Sequence, residues 1–156
     1  MSPGAWILVV AVAVSLAFGG YRALTDGRFR GTRRLRGATA ASTAAPGVEQ
    51  TVPASVVEGT PWAEELGERF TLLQFSSAFC APCRATRRVL ADVATTVPGV
   101  QHVEVDAEQH LEVVRRLGIM RTPTTLILDA RGAELSRASG LPRTDQVLAA
   151  MAGHAL

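Results

Sequence analysis

Apolar positions divide the chain into two parts. Residues 4–20 are uncharged and mostly apolar, and the first charged side chain is Arg22. From Val56 onward, short apolar runs alternate with segments in which apolar residues recur every three or four positions. The first pattern is typical of a membrane-spanning helix, whereas the second predicts the strands and amphipathic helices of one α/β domain.

The second part of the chain contains enough periodic segments for a small mixed sheet with helices around it. The predicted strands are residues 71–75, 100–106, 124–128 and 134–139, and the predicted helices are residues 61–68, 84–97, 108–117 and 143–152. Helices that separate strands favour parallel pairing, whereas the turn signal at residues 129–132 predicts an antiparallel hairpin. About 100 residues is enough for one hydrophobic core and too few for two.

Both cysteines of the chain lie in one motif, Cys80-Ala81-Pro82-Cys83, between a predicted strand and a predicted helix. Pro82 suits the first turn of that helix, where a missing N–H group costs nothing. Free N–H groups and the helix dipole at such a position stabilise a thiolate, and Arg84 adds positive charge. Since the thiolate is the attacking species in disulfide exchange, the motif predicts Cys80 as the attacking thiol and Cys83 as the resolving thiol.

Two other uses of a cysteine pair fit this motif less well than redox chemistry. A structural disulfide across so short a loop restrains little of the unfolded chain. A zinc site would need two more ligands, and the three histidines, His102, His110 and His154, show no zinc-ligand spacing. Disulfide exchange needs no organic cofactor and no metal, because the dithiol is itself the redox centre.

Three segments and a late glycine resemble thioredoxin-fold proteins in the same order along the chain. They are residues 75–84 around the cysteines, residues 103–106, residues 118–124 with the sequence Gly-Ile-Met-Arg-Thr-Pro-Thr, and Gly140. The resemblance covers about two-thirds of the chain and implies a thioredoxin-like mixed sheet flanked by helices. It also implies a cis peptide bond before Pro123, and a substrate segment held at the backbone of Thr122 beside Cys80.

Five positions depart from the thioredoxin pattern. Gln74 replaces the family's buried aspartate, and His102 replaces the lysine near that acid. Ser76 and Phe79 replace the two tryptophans before the first cysteine, and Arg88 replaces the mid-helix proline. Without the acid, deprotonation of Cys83 depends on water, on His102 or on the leaving thiolate. The simplest interpretation of His102 itself is a solvent-exposed strand residue.

The apolar N-terminal segment is interpreted as a transmembrane helix at residues 4–21, with Trp6 and Tyr21 at the two interfaces. A cleaved signal peptide is the alternative interpretation. No basic side chain precedes the apolar run, and no clear small-x-small cleavage site follows it, so an uncleaved span is preferred.

Basic residues after the span predict its orientation. Arginines occupy positions 22, 28, 30, 33, 34 and 36, within a basic juxtamembrane segment and flexible linker assigned to residues 22–50. Because positive residues beside a span tend to stay inside, the domain at residues 51–156 is predicted on the cytoplasmic face. Membrane-tethered thioredoxin relatives often act outside, so this analogy points the other way. The basic block suits anionic lipid headgroups, whereas nucleic acid is not predicted, since no aromatic residues interleave with the domain's basic residues.

The sequence therefore predicts a membrane-tethered thiol–disulfide oxidoreductase that reduces protein disulfides through Cys80 and Cys83. Its expected partners are protein thiol or disulfide substrates and an electron donor such as a thioredoxin reductase or a membrane redox protein. One alternative is an extracytoplasmic exchange enzyme, including one that reduces cytochrome thiols. Another is a non-catalytic thioredoxin-fold binding module.

Overall fold

The computed structural model of the protein describes residues 3–25, 27–31 and 54–154. Its first element is helix α1, Pro3–Thr25. Within α1, Gly4–Tyr21 is long and apolar enough to cross a membrane by length and composition, and none of this stretch is buried against the rest of the protein. A signal sequence would have the same properties.

Four strands form the body of the sheet, and a two-residue strand extends one edge. They are β1 Arg30–Gly31, β2 Phe70–Ser76, β3 Val100–Asp106, β4 Thr124–Asp129 and β5 Glu134–Ser139, in the spatial order β1-β5-β4-β2-β3. Strands β2 and β3 are parallel, and the other neighbouring pairs are antiparallel. The predicted mixed sheet with a terminal hairpin is therefore confirmed.

Helices cover both faces of this sheet and bury its apolar side chains. They are α2 Ala81–Thr96, α3 Leu111–Arg116 and α4 Thr144–Ala152, together with a 3₁₀ helix at Pro61–Glu64. Leu90 and Val93 of α2 and Val147 of α4 share one core cluster with Leu72 and Ile127 of the sheet. The opposite face of the sheet packs against the 3₁₀ helix and α3; the cluster there includes Trp62, Leu73, Phe75, Val105, Ile119 and Leu126.

Two helices are shorter than the sequence predicted. The helix expected at residues 61–68 stops at Glu64, because the chain turns through Gly67, where an added Cβ would lie 2.3 Å from the Phe70 carbonyl oxygen. The helix expected at residues 108–117 begins only at Leu111. Asp106 accepts hydrogen bonds from the backbone N–H of Glu108 and the side chain of Gln109, so residues 107–109 form a turn instead.

Residues just after α1 pack on the domain, although the sequence analysis placed them in the juxtamembrane segment. Arg30 and Gly31 pair with β5, the N–H of Gly27 donates to Ser139, and Phe29 packs against the cluster shared by α2 and α4. Residues 32–50 of the predicted juxtamembrane segment and linker, which include the arginines at positions 33, 34 and 36, lie outside the described residues.

Candidate active site

The cysteine motif lies at the turn from β2 into α2. Cys80 is the N-cap of α2, and Pro82 occupies its first turn, as the sequence predicted. The two sulfur atoms form a disulfide, and the backbone N–H of Cys83 points at Cys80 Sγ, with a nitrogen-to-sulfur distance of 3.1 Å. Cys80 is half-buried, whereas Cys83 is only 2 % exposed. A partner can therefore reach the Cys80 sulfur more readily than that of Cys83.

The segment that the resemblance assigned to substrate binding lies beside this turn. The Thr122–Pro123 peptide bond is cis, as the resemblance implied. The hydroxyl of Thr122 lies 2.8 Å from that of Ser77, three residues before Cys80. Gly140 donates its N–H to the Pro123 carbonyl at 2.8 Å, which ties this segment to the end of β5. The structure thus brings Cys80, Cys83, Thr122 and Pro123 to one edge of the sheet.

Two large apolar side chains project from the segments that carry the dithiol and the cis proline. Phe79 is fully exposed and has a positive φ of 58°, and Met120 is 92 % exposed. Arg84, in the first turn of α2, is also exposed. Met120 was not singled out from the sequence, because an isolated methionine in a loop carries no recognisable pattern.

Gln74 contacts the backbone of Cys83 and is fully buried. Its side-chain amide donates to the backbone carbonyl of Cys83 at 3.0 Å and to the hydroxyl of Ser76 at 2.9 Å. The Gln74 carbonyl oxygen lies 3.2 Å from Nε2 of His102, and since this oxygen only accepts, the imidazole donates. Gln74 therefore fills the family's acid position with a neutral group whose hydrogen bonds are satisfied.

A carboxylate is connected to Gln74 through the hydroxyl of Ser76. Ser76 donates to one carboxylate oxygen of Glu104, and Arg87 forms an ion pair with the other at 2.6 Å. Burial raises the pKa of Glu104, but the hydrogen bonds from Arg87 and Ser76 and the charge of Arg87 outweigh it, so the pKa lies below its usual value. Glu104 is thus ionised at neutral pH.

His102 is not the solvent-exposed strand residue that the sequence analysis preferred. It is half-buried and faces Gln74. Burial lowers the pKa of His102, with the charge of Glu104 opposing and that of Arg87 assisting. The imidazole is therefore mainly neutral near pH 7. This prediction was wrong because the environment of His102 depends on the register of β3 against β2, which no local pattern encodes.

The contribution of Glu104 and Ser76 was also missed. In the parallel pairing of β2 with β3, Gln74 is opposite Glu104, and alternate residues of a strand share one face. Polar residues at every second position of two predicted strands were the signal: Gln74 and Ser76 on one, His102 and Glu104 on the other. Arg87 of α2 forms an ion pair with Glu104.

A polar cleft of about 310 Å³ opens beside the cysteine turn. It is lined by Ser76, Ser77, Ala78, Arg87, Glu104 and Asp106. Ser76 and Glu104, which share a hydrogen bond, both line this cleft, so the end of the Gln74 network that holds the carboxylate opens to solvent.

Comparison with known proteins agrees with this geometry. The chain is 39% identical over 61 residues to human Thioredoxin domain-containing protein 2, a stretch that covers 39% of this chain and 11% of that protein. It is 27% identical over 99 residues to thioredoxin from Chlamydia trachomatis, covering 64% of this chain and 96% of the relative. The crystal structure of spinach chloroplast thioredoxin F superimposes with a TM-score of 0.53 at 20% identity, covering 65% of this chain and 89% of the spinach chain.

The cysteine pair fits a CxxC site, with the two cysteines bonded to each other and three positions apart. The sequence model of the Thioredoxin family matches residues 54–153, which is most of the chain after the N-terminal helix. The protein belongs to the thioredoxin family.

Proposed function

We propose that the protein is a membrane-tethered thiol–disulfide oxidoreductase that reduces protein disulfides through Cys80 and Cys83. The observation that carries the proposal is the unequal setting of the two sulfurs. The Cys80 sulfur is accessible and accepts a hydrogen bond from the backbone N–H of Cys83 at the start of α2, whereas the Cys83 side chain is buried and its carbonyl is bonded to Gln74. An N–H directed at a sulfur stabilises its thiolate more than its thiol, which suits Cys80 to attack.

The proposed exchange takes two steps. The Cys80 thiolate attacks one sulfur of a substrate disulfide, forming a mixed disulfide, and the displaced substrate thiolate takes up a proton. Cys83 then loses its proton and attacks Cys80 Sγ, which closes the Cys80–Cys83 disulfide and releases the second substrate thiol. Two electrons pass to the substrate. A dithiol donor, such as a thioredoxin reductase or a membrane redox protein, returns two electrons to the CxxC pair.

Proton removal from Cys83 is the step in which this chain differs from the family pattern. Gln74 cannot take a proton, and the nearest carboxylate in its network, Glu104, is reached only through Ser76. The neutral imidazole of His102 borders Gln74 from the other side. We infer that the displaced substrate thiolate and solvent take most of this proton, with His102 as the nearest basic side chain.

Thr122 and Pro123 are proposed to hold an extended substrate segment beside Cys80. Their support is position, since Thr122 contacts Ser77 of the cysteine turn. The exposed side chains of Phe79 and Met120 belong to the two segments that carry Cys80 and Pro123, and they offer apolar contact to the substrate. Backbone pairing would supply affinity for many sequences, as strand addition does elsewhere.

The membrane anchor and its orientation belong to the same proposal. Helix α1 has the length and composition of a span, and the arginines that follow it favour a cytoplasmic face for residues 51–156, with residues 22–50 between the two. An extracytoplasmic exchange enzyme would have the same site chemistry on the other face.

Covalent trapping tests the exchange. With Cys83→Ser, a mixed disulfide on Cys80 has no internal thiol to resolve it, so substrate proteins should accumulate as adducts that reductant releases. The matched variant Cys80→Ser should trap few. Equal yields from the two variants would contradict the assignment of Cys80 as the attacking thiol. No adducts from either would support a non-catalytic binding module.

A further inference from the structure

The end of the N-terminal helix is tied to the same sheet edge as the dithiol. Across the sheet, Phe75 of β2 pairs with Thr124 of β4, and Thr124 pairs with Ser139 of β5. The Ser139 carbonyl accepts the N–H of Gly27 at 2.9 Å, two residues after α1 ends at Thr25. One row of neighbouring residues therefore leads from the strand before Cys80 to the helix end.

This attachment depends on the residues that form it. Gly27 has a φ of +73°, and an added Cβ would lie 2.1 Å from the Leu141 carbonyl oxygen, so only glycine fits. Phe29 packs against the core cluster shared by α2 and α4, and Gly31 pairs with Ser136. The segment is thus held by a hydrogen bond, an apolar contact and strand pairing together.

This row of neighbouring residues also limits the distance from the end of α1 to the end of β2, which leads to Cys80. Neighbouring strands lie ~4.8 Å apart, so three spacings from β2 to the docked segment amount to ~14 Å. Two residues from Gly27 back to Thr25 add at most ~7 Å. The end of α1 therefore lies within roughly 20 Å of the strand end that leads to Cys80. A random coil of about 28 residues, the number between Thr25 and Ala54, would instead have an r.m.s. span of roughly 30 Å.

We propose that docking of residues 27–31 on β5 holds the dithiol edge at the membrane surface, so that the substrates are disulfides in membrane-proximal segments of membrane-anchored proteins. The inference rests on the proposed function for its exchange chemistry and its anchor. It adds a substrate class, because a docked domain presents Cys80 to the bilayer surface, whereas a domain on a free tether would serve soluble proteins equally.

The experiment uses the full chain in vesicles and compares one substitution at two glycines. Gly27→Val removes the docking, for the reasons of space and φ given above. Gly31→Val is the matched control, since nothing lies within 4 Å of a Cβ there and its φ is not in the left-handed region. A third variant inserts twelve Gly/Ser residues after Thr25, which leaves the docked strand whole but separates it from the helix.

Placement is measured first, without activity. In a Cys83→Ser background, a fluorophore on Cys80 is quenched by nitroxide lipids labelled at the headgroup. Quenching should fall about twofold or more in Gly27→Val and in the insertion variant, as the mean distance grows toward that of a coil, and should be unchanged in Gly31→Val. Equal quenching in all four proteins would overturn the proposed placement.

Substrate class is measured next, with both cysteines present. One disulfide peptide is offered either attached to a lipid through a short spacer or free in solution. The otherwise unmodified protein should reduce the attached peptide preferentially, and Gly27→Val should lose that preference while reducing the free peptide at the same rate. Equal rates on both peptides before mutation would refute the substrate class alone. Reduction of neither peptide would refute the oxidoreductase function and the substrate class with it, whatever the quenching shows.

Discussion

Restoring an acid at position 74 is expected to change both the stability and the chemistry of the site. The variant is Gln74→Asp, and Gln74→Asn is its control, because both shorten the side chain by one methylene and only one adds a carboxyl. Gln74 is fully buried and donates to Cys83 and Ser76. Both variants should lose about 1–3 kcal/mol of unfolding free energy, because the shorter side chains leave buried polar groups unsatisfied.

The carboxyl adds a pH-dependent cost to the aspartate variant. Burial disfavours the charged form, so the folded-state pKa of Asp at this position should lie above its unfolded value of ~3.9. The folded protein then binds the proton more tightly. The unfolding free energies of the Asp and Asn variants should therefore be equal below about pH 4. The Asp variant should become the less stable of the two as the pH rises through its folded-state pKa. A rise of two pKa units corresponds to about 2.7 kcal/mol at pH 8.

Above that pKa the ionised aspartate can accept the Cys83 proton. Release of the substrate thiol from a mixed disulfide on Cys80, followed by stopped-flow fluorescence, should be several-fold faster for Asp than for Asn near neutral pH. This gain is below the roughly 10²–10⁴-fold of a fully positioned general base, because solvent and the displaced thiolate already take the proton. Urea unfolding at pH 4 and 8 measures the stability term. Identical rate–pH profiles for the two variants would refute the argument that proton removal at Cys83 is limited by the missing acid.

Two further predictions concern His102 and the membrane. Because burial lowers the pKa of His102, the folded state binds fewer protons than the unfolded state, so the stability present above about pH 6.5 is lost as pH falls. Urea unfolding at pH 7.5 and at pH 5 measures how much unfolding free energy each protein loses between the two pH values. His102→Gln should lose less than the unmodified protein, whereas His154→Gln, the control at an exposed site, should lose the same amount as the unmodified protein. Equal losses in all three proteins would contradict the burial argument. The arginines beside the span predict a cytoplasmic domain, so a membrane-impermeant thiol reagent should leave Cys80 unlabelled in intact, mildly reduced cells and label it once the cells are lysed. A variant that lacks both cysteines is the control for labelling of other proteins. Labelling of Cys80 in intact cells would place the domain outside.

The sequence predicted the parts of this molecule that local patterns encode. Apolar runs and turn residues located all four main strands, and the motifs around Cys80 and Pro123 indicated the fold and the cis peptide bond. Contacts that depend on register were not predictable in the same way. His102 meets Gln74 only because β3 pairs with β2 in one alignment.

Local sequence patterns also did not predict strand β1, because the strand is very short. Strand β1 has two residues, too short for any periodicity, and it follows Gly27 and Phe29 in a stretch dominated by arginines. Its pairing depends on space beside β5, which no local pattern reports. The lengths of two helices were overestimated for different reasons. Asp106 forms local hydrogen bonds that delay the start of α3. Gly67 lies close to the backbone of Gly99 and Gln101, a tertiary contact that no local pattern reports.

Strand β1 has a further consequence for the membrane-tethered protein that we propose. Chains anchored in a bilayer diffuse in two dimensions, where encounters between exposed sheet edges are frequent and unpaired strand edges invite aggregation. The β5 edge is occupied at Ser136 and Arg137 by the chain's own strand, and the Arg137 side chain there is bound to Glu134 and to the Leu117 carbonyl. Intramolecular pairing thus occupies the β5 backbone at these two positions, so a neighbouring copy cannot add its own strand to β5 there.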